Sequence, residues 1–197
     1  NNNKRAIIHM PTGAGKTRLA MHVICEYLCI NQGLVIWFTD RSELGDQAYN
    51  EFLTAWECLG NREVEILKFY GGDTKLTKPY LKDGIIIASL QKTTYLLDQG
   101  KRHKTGASHL INNSKLIIFD EAHRSVARTY LSTTEQFSWQ EDTNLIGLTA
   151  TPGRTIEYAE EDIKLKEMYY STKFGINDIT NENPMLYLQK REFLAEP

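Results

Sequence analysis

The stretch AIIHMPTGAGKTRLAMHVICEYL, residues 6–28, decides the fold. It begins with a short apolar strand at residues 6–9, continues as a glycine-containing loop, and ends in a helix predicted at residues 16–31 by its apolar periodicity. Gly13 and Gly15 let the backbone of the loop wrap closely, so that its amides point at phosphate oxygens in front of the positive end of the helix. A strand that leads into a helix through such a loop predicts a phosphate-binding site.

The side chains of this loop have predicted roles. Lys16 is expected to bridge the β- and γ-phosphates of ATP, and Thr17 is expected to offer its hydroxyl to Mg²⁺. Met10 stands where the general phosphate-loop pattern has its first glycine, but the rest of the pattern is intact. The residues predicted to bind the nucleotide are Thr12, Gly13, Ala14, Gly15, Lys16 and Thr17.

Beyond this stretch, apolar runs alternate with amphipathic segments. The other strands are predicted at residues 34–39, 63–69, 84–89, 115–120 and 144–149. The other helices are predicted at residues 42–59, 90–99, 157–170 and 184–193, with loops at 73–83 and 100–108 and an irregular segment at 174–183. This alternation predicts an α/β fold with a mostly parallel sheet, in which ligands bind at the carboxyl ends of the strands.

A pair of adjacent carboxylates follows one of these strands directly. Asp120 at the strand tip can hold Mg²⁺ through water, and Glu121 can polarise the water that attacks the phosphate. The plain alternative is that both residues cap the next helix, where the helix dipole favours negative charge. The upstream phosphate loop favours the catalytic interpretation, with Glu121 and Lys16 as the catalytic residues.

The composition limits the possible partners. The 197 residues include 23 Lys or Arg and 25 Asp or Glu, so the net charge is −2 and nucleic acid would have to bind a local face. The three cysteines lack the spacing of a zinc site, and no stretch approaches the roughly 20 apolar residues of a membrane span. We therefore expect a cytoplasmic protein.

The motifs together resemble a known superfamily. MPTGAGKT (residues 10–17), DEAH (120–123) and LTATP (148–152) are similar, in order and spacing, to motifs I, II and III of superfamily 2 helicases and translocases. FTDRSELGDQ (38–47) resembles motif Ia, and its Asp-Arg-x-x-Leu-x-x-Gln pattern is similar to motor subunits of type I restriction enzymes and related prokaryotic phage-defence proteins. SLQK (89–92) resembles the (T/S)-x-Q element of the superfamily.

The resemblance implies the first of two RecA-like domains, with ATP between the domains and nucleic acid across both. It assigns coupling of the ATP state to nucleic-acid binding to His123, Thr149 and Thr151. It places the nucleic-acid contacts at Arg41, Ser42, Ser89, Gln91 and Lys92. Each has a plain alternative: His123 could satisfy a local carbonyl, Ser42 is a good helix N-cap, and Lys92 could be a solvated charge.

The domain organisation follows from the same resemblance. Residues 1–155 are predicted to form the ATP-binding domain, and residues 156–197 an extension toward a second RecA-like domain of the same polypeptide. The upstream glutamine element that reads adenine and the arginine fingers of the second domain have no counterpart in these residues. The isolated chain is therefore expected to bind nucleotide weakly and to hydrolyse it slowly, because such arginines stabilise charge on the γ-phosphate.

Three functions remain open from the sequence. The first is a DNA helicase or translocase motor that uses ATP and Mg²⁺, in a restriction or phage-defence complex with other subunits. The second is an RNA motor, because contacts to the sugar-phosphate backbone do not by themselves distinguish the two polymers. The third is a module in which ATP binding switches conformation without useful turnover; the presence of both Glu121 and Thr17 argues against it.

Overall fold

The computed structural model describes residues 4–72, 75–76, 78, 80–100, 107–138, 140, 142–150, 159–170, 172–175, 178, 180, 187 and 190. The strands are β1 (Arg5–His9), β2 (Leu34–Thr39), β3 (Ile66–Phe69), β4 (Gly84–Ser89), β5 (Ser114–Asp120), β6 (Asn144–Thr149) and β7 (Lys173–Gly175). The helices are α1 (Lys16–Ile30), α2 (Ser42–Leu59), α3 (Leu90–Gly100), α4 (Ala107–Asn113), α5 (Leu131–Ser138) and α6 (Ala159–Met168), with a short 3-10 helix at Ala122–Arg124.

The strands form one seven-stranded sheet in the order β3-β4-β2-β5-β6-β1-β7. Every pairing in this sheet is parallel. The predicted α/β fold with a mostly parallel sheet is therefore confirmed. Parallel pairing also brings the carboxyl ends of all the strands to one edge, where the loops of an α/β sheet bind their ligands.

The core has two layers, one on each face of the sheet. On one face, α1 and α2 cover Val35, Trp37 and Ile118 with side chains such as Ile24 and Phe52. The opposite face packs against α3, α4, α5 and α6 through their buried apolar side chains. β2 is buried along its whole length, as the continuous apolar run at residues 34–39 predicts for a strand covered on both faces.

Several elements differ from the sequence prediction. The predicted loop at 100–108 is wrong at both ends, because α3 extends to Gly100 and α4 begins at Ala107. The strand predicted from residue 63 begins at Ile66. α5 and the 3-10 helix were not predicted, and β7 overlaps the start of the segment from residue 174 that was predicted to be irregular. The helix predicted at 184–193 lies outside the described residues, apart from Tyr187 and Lys190, which are helical.

α6 and β7, which follow residue 158, belong to the same fold. Leu165, Met168 and Tyr169 are buried in the core, and β7 pairs with β1. α6 and β7 therefore pack together with the residues before position 155. The predicted domain boundary between residues 155 and 156 stays a prediction. Within the described part of the chain, no helix combines the length and the apolar character needed to cross a membrane.

Candidate active site and nucleic-acid cleft

The phosphate loop connects β1 to α1 at the carboxyl edge of the sheet. Gly13 and Gly15 have φ values of 78° and 83°, in the left-handed region that glycine adopts without strain. The amide of Met10 donates to the carbonyl of Thr149 over 3.1 Å, and the amide of Ala14 donates to the carbonyl of Pro11 over 3.2 Å. These bonds fix the loop between β6 and the first turn of α1.

Lys16 points back over this loop. Its Nζ donates to the carbonyls of Met10 and Pro11, each over 3.2 Å. Burial lowers the pKa of the Lys16 ammonium, while the charges of Glu121 and Asp120 act in the opposite direction. A partly desolvated ammonium that is held within the electrostatic range of two carboxylates gains from an additional anionic partner such as a phosphate.

Asp120 ends β5, the strand next to β6. Burial raises the pKa of its carboxyl to about 6, with a further contribution from the charge of Glu121, whereas Lys16 lowers it. The charge on this carboxylate is therefore costly in the folded protein unless a cation is nearby. The sequence placed Asp120 at a strand tip, and the structure places it there.

Glu121 has a φ of 63°, which is unusual for a residue other than glycine. This conformation turns the chain from β5 into the 3-10 helix. His123 lies on that helix, and its Nδ1 is 3.4 Å from Glu121 Oε2. A backbone held in a sparsely populated conformation next to a carboxylate pair is typical of functional sites.

The end of β6 completes the edge. Thr149 is fully buried and receives the Met10 bond described above. His9 at the end of β1 contacts Ala150, the residue after Thr149, with its Nε2 3.2 Å from the carbonyl of Ala150. The other predicted coupling residue, Thr151, lies outside the described residues.

These residues fit a nucleotide with its magnesium ion. The loop offers amides at the N-terminus of a 15-residue helix, and Thr17 and Asp120 supply the hydroxyl and carboxylate oxygens that Mg²⁺ prefers. The raised pKa of Asp120 is consistent with a carboxylate that faces a cation in the loaded protein. Thr17 and Asp120 are thus the residues that would hold the ion, and Lys16 would face the phosphates.

A second, polar cleft of about 590 Å³ lies at the same edge, above β3, β4 and β2. All five residues that were predicted to contact nucleic acid line it: Arg41, Ser42, Ser89, Gln91 and Lys92. These residues come from two chain segments almost 50 positions apart. The pairing of Thr39 with Ser89 in the β2–β4 register is what brings the segments together.

The contacts of three cleft residues bear on their plain alternatives. Ser42 is not the N-cap, because α2 already includes it and Arg41 holds the cap position without a side-chain cap bond. The hydroxyl of Ser89 accepts from the amide of Lys92 over 3.4 Å, so this serine contacts the start of α3. The ammonium of Lys92 lies 5.6 Å from the ring of Phe69, so it rests against β3 at the side of the cleft.

Several residues of the cleft were not predicted from the sequence. Gly71 and Gly72 lie just after β3, separated from it by Tyr70, and a glycine pair so close to the end of a strand is a signal that could have indicated them. Tyr95 lies four residues after Gln91 and therefore on the same face of α3. The remaining members, Asp40 and Glu43, flank the predicted contacts Arg41 and Ser42.

The chain is similar to known proteins in sequence. The family model described as "Type III restriction enzyme, res subunit" matches residues 1–154. The chain is similar to the ATP-dependent DNA helicase Hel308 of Pyrococcus horikoshii, with 30% identity over 159 residues, which cover 80% of the chain and 21% of that protein. It is also similar to the type I restriction enzyme EcoAI endonuclease subunit of Escherichia coli, with 29% identity over 184 residues, 90% of the chain and 20% of that protein.

Among solved structures, the fold is similar to the helicase domain of Pyrococcus furiosus Hef, with a TM-score of 0.65 and 24% identity. The match covers 89% of this chain and 35% of the Hef chain. This likeness confirms the predicted RecA-like fold. The chain spans about a fifth of the length of the curated relatives it matches.

Proposed function

The chain belongs to the type III restriction enzyme res-subunit family, and on this premise we propose that it is the ATP-binding domain of a DNA-dependent ATPase motor. The observation that carries the proposal is the pairing of two sites on one sheet edge. The phosphate loop and the carboxylates lie above β1, β6 and β5, and the polar cleft lies above β2, β4 and β3. In a nucleic-acid-dependent ATPase, ATP and nucleic acid must bind to the same rigid element, so that the binding of one can affect the other.

The residues of the first site support phosphoryl transfer to water. The loop amides and Lys16 bind the β- and γ-phosphates and offset the charge that develops on them. Glu121 orients the attacking water and accepts its proton, from a position that its left-handed backbone fixes next to Asp120. A bound Mg²⁺ would add Lewis-acid stabilisation of the phosphate oxygens, held by Thr17 and Asp120.

The cleft supports binding to a sugar-phosphate backbone. Arg41 and Lys92 supply positive charge, and Ser42, Ser89 and Gln91 supply hydrogen-bonding groups that suit phosphate oxygens and sugars. Because the net charge of the chain is −2, this affinity must come from the local cleft. Such contacts do not read bases, so binding is expected to be largely independent of sequence.

We favour DNA because Hel308 and the EcoAI subunit, to which the chain is similar, are named as a DNA helicase and a restriction enzyme subunit. A protein of Methanocaldococcus jannaschii that is 27% identical is named as a putative RNA helicase, which keeps the RNA motor as the alternative. A second RecA-like domain of the same polypeptide would supply the arginines that speed hydrolysis. Other subunits of a restriction or phage-defence complex would be further partners. An RNA motor and an ATP-gated binding module are the alternatives. Binding of DNA and RNA oligonucleotides separates the first from this proposal, and steady-state ATP hydrolysis separates the second.

The test measures binding of a fluorescent single-stranded oligonucleotide to the full-length protein, as DNA and as RNA of the same sequence. Arg41→Ala and Lys92→Ala are expected to weaken binding equally for different sequences, and each is expected to reduce the salt slope by about 0.7. Lys115→Ala is the matched control, because it removes one positive charge at the opposite end of β5. Unchanged affinity in both cleft variants would contradict the assignment of the cleft, and tighter binding of RNA would favour the RNA motor.

A further inference from the structure

The carboxyl edge of the sheet has a seam between its two sites. β2 ends under the polar cleft, and its neighbour β5 ends under the catalytic carboxylates. The two strands are in register at Phe38 and Phe119, whose rings stack with centroids 4.9 Å apart. The residues that follow these strands therefore lie side by side at the seam.

One ion pair crosses this seam. Arg124 Nη2 lies 3.4 Å from Asp40 Oδ2. The Asp40 side chain is 24% exposed and lines the cleft, whereas Arg124 is 45% exposed and ends the 3-10 helix that follows Glu121. A cation on the catalytic side thus faces an anion in the cleft that we propose for nucleic acid.

The turn that carries Arg124 is tight. The amide of Arg124 donates to the carbonyl of Glu121 over 2.8 Å, and both the amide and the hydroxyl of Ser125 donate to the carbonyl of Ala122. Ala122 and Ser125 are fully buried. A displacement of Arg124 is therefore transmitted to Glu121 through Ala122 and His123, in a turn that has little freedom to absorb it.

We infer that Asp40 and Arg124 are positioning residues that transmit nucleic-acid binding in the cleft to the catalytic carboxylate Glu121. The inference rests on the proposed function of the cleft. A phosphodiester held by Arg41 and Lys92 brings a second anion close to Asp40, and the two anions compete for Arg124. The ion pair then has different strengths with and without nucleic acid, which is the differential interaction that coupling between two sites requires.

If the Asp40–Arg124 ion pair had only a structural role, its loss would have a different effect. Exposed pairs of this kind contribute little to folding, so its loss would leave both the fold and the stimulation of hydrolysis unchanged. The two roles therefore differ in one ratio, the rate of ATP hydrolysis with saturating nucleic acid divided by the rate without it. The melting temperature of each variant shows whether it is folded.

The experiment measures this ratio in the full-length protein with single-stranded oligo(dT) as the probe. Asp40→Asn and Arg124→Ala are each expected to lower the ratio about tenfold. Arg124→Lys keeps the positive charge and is expected to retain most of the stimulation. The double variant Asp40→Asn/Arg124→Ala is expected to lower the ratio no further than either single change, because both changes remove the same interaction.

Two results distinguish this inference from the function on which it rests. If Asp40→Asn and Arg124→Ala keep the wild-type ratio while Arg41→Ala and Lys92→Ala weaken oligonucleotide binding, the coupling role is wrong and the cleft assignment stands. If neither oligo(dT) nor an RNA oligonucleotide stimulates the wild-type protein, the proposed function and the coupling role are both overturned.

Discussion

His123 Nδ1 lies 3.4 Å from Glu121 Oε2, so an imidazole of the same turn stands beside the carboxylate that we propose as the base. The backbone of Glu121 is in the left-handed region, and its carbonyl accepts from the amide of Arg124. The backbone turn thus fixes where the Glu121 side chain begins, and an imidazole lies beside its carboxylate. Both features lead to predictions for substitutions at these positions.

Glu121→Gln is expected to lower the kcat for ATP by roughly 10²- to 10⁴-fold in the full-length protein, because the amide keeps the size of the side chain but cannot accept the proton from water. ATP binding, measured by fluorescent-analogue titration, is expected to change little. Glu57→Gln is the control, since Glu57 is an exposed carboxylate near the end of α2 that lies away from the site. Wild-type turnover in Glu121→Gln would refute the role of this residue.

His123→Ala is expected to affect regulation more than chemistry. Glu121 would keep its backbone conformation but lose the imidazole that lies beside its carboxylate. We expect a smaller loss of kcat than in Glu121→Gln, together with a weaker response to added DNA. A loss of kcat as large as that of Glu121→Gln, with the response to DNA intact, would instead place His123 in the chemical step.

Gly15→Ala tests the conformation of the phosphate loop. Gly15 has a φ of 83°, and no heavy atom of the described neighbouring residues lies within 4 Å of a Cβ built there, so the cost is backbone strain of about 1–2 kcal/mol. Gly72→Ala is the matched control, because a Cβ at Gly72 also meets no described atom within 4 Å and Gly72 has no positive φ. Urea unfolding of the 197-residue chain measures the difference, and equal losses in both variants would contradict the strain at Gly15.

Asp120→Asn is expected to stabilise the chain at pH 7.5 in the absence of nucleotide and magnesium, while it abolishes ATP hydrolysis. The pKa of Asp120 is raised from 3.8 to about 6, so its favourable contribution to folding is complete below pH 3.8 and is lost as the pH rises through 6. The neutral amide avoids that loss, which is worth about 1–3 kcal/mol at about 1.4 kcal/mol per pKa unit. Thermal unfolding across this pH range measures the effect, which should vanish below pH 4.

Asp83→Asn supplies the control of opposite sign. The Arg62 guanidinium lowers the pKa of the Asp83 carboxyl, so this aspartate stabilises the fold above pH 3.8 and its neutral replacement should lower the melting temperature at pH 7.5. Shifts of the same sign in both variants would contradict the electrostatic account of Asp120.

The sequence predicted the elements whose patterns are strong and local. The buried runs of β2, β4 and β5 need apolar residues on both faces, and the glycines before α1 need a left-handed loop. It did not predict β7, because an exposed three-residue edge strand carries no periodicity and exists only through its pairing with β1. The sequence did not predict α4 either, since seven residues are too few to show a helical period.

The candidate sites show the same division. The residues of the phosphate loop and the carboxylate pair follow strands directly, so the sequence could place them at one edge. The cleft needs β2 beside β4, and the Asp40–Arg124 contact needs β2 beside β5. A sheet order is a property of tertiary packing, and no local pattern around Asp40 or Arg124 reveals it.

The central claim is that the cleft beside β2 senses nucleic acid and that the phosphate loop responds. The most direct measurement is steady-state ATP hydrolysis by the full-length protein as a function of single-stranded DNA concentration, for the wild type, Arg41→Ala and Lys115→Ala. We expect DNA to raise the rate of the wild type and of Lys115→Ala alike. For Arg41→Ala, half-maximal stimulation is expected to need about tenfold more DNA, because this variant loses a charge-assisted phosphate contact. A rate that does not depend on DNA in the wild type, or the same DNA dependence in all three proteins, would contradict the claim.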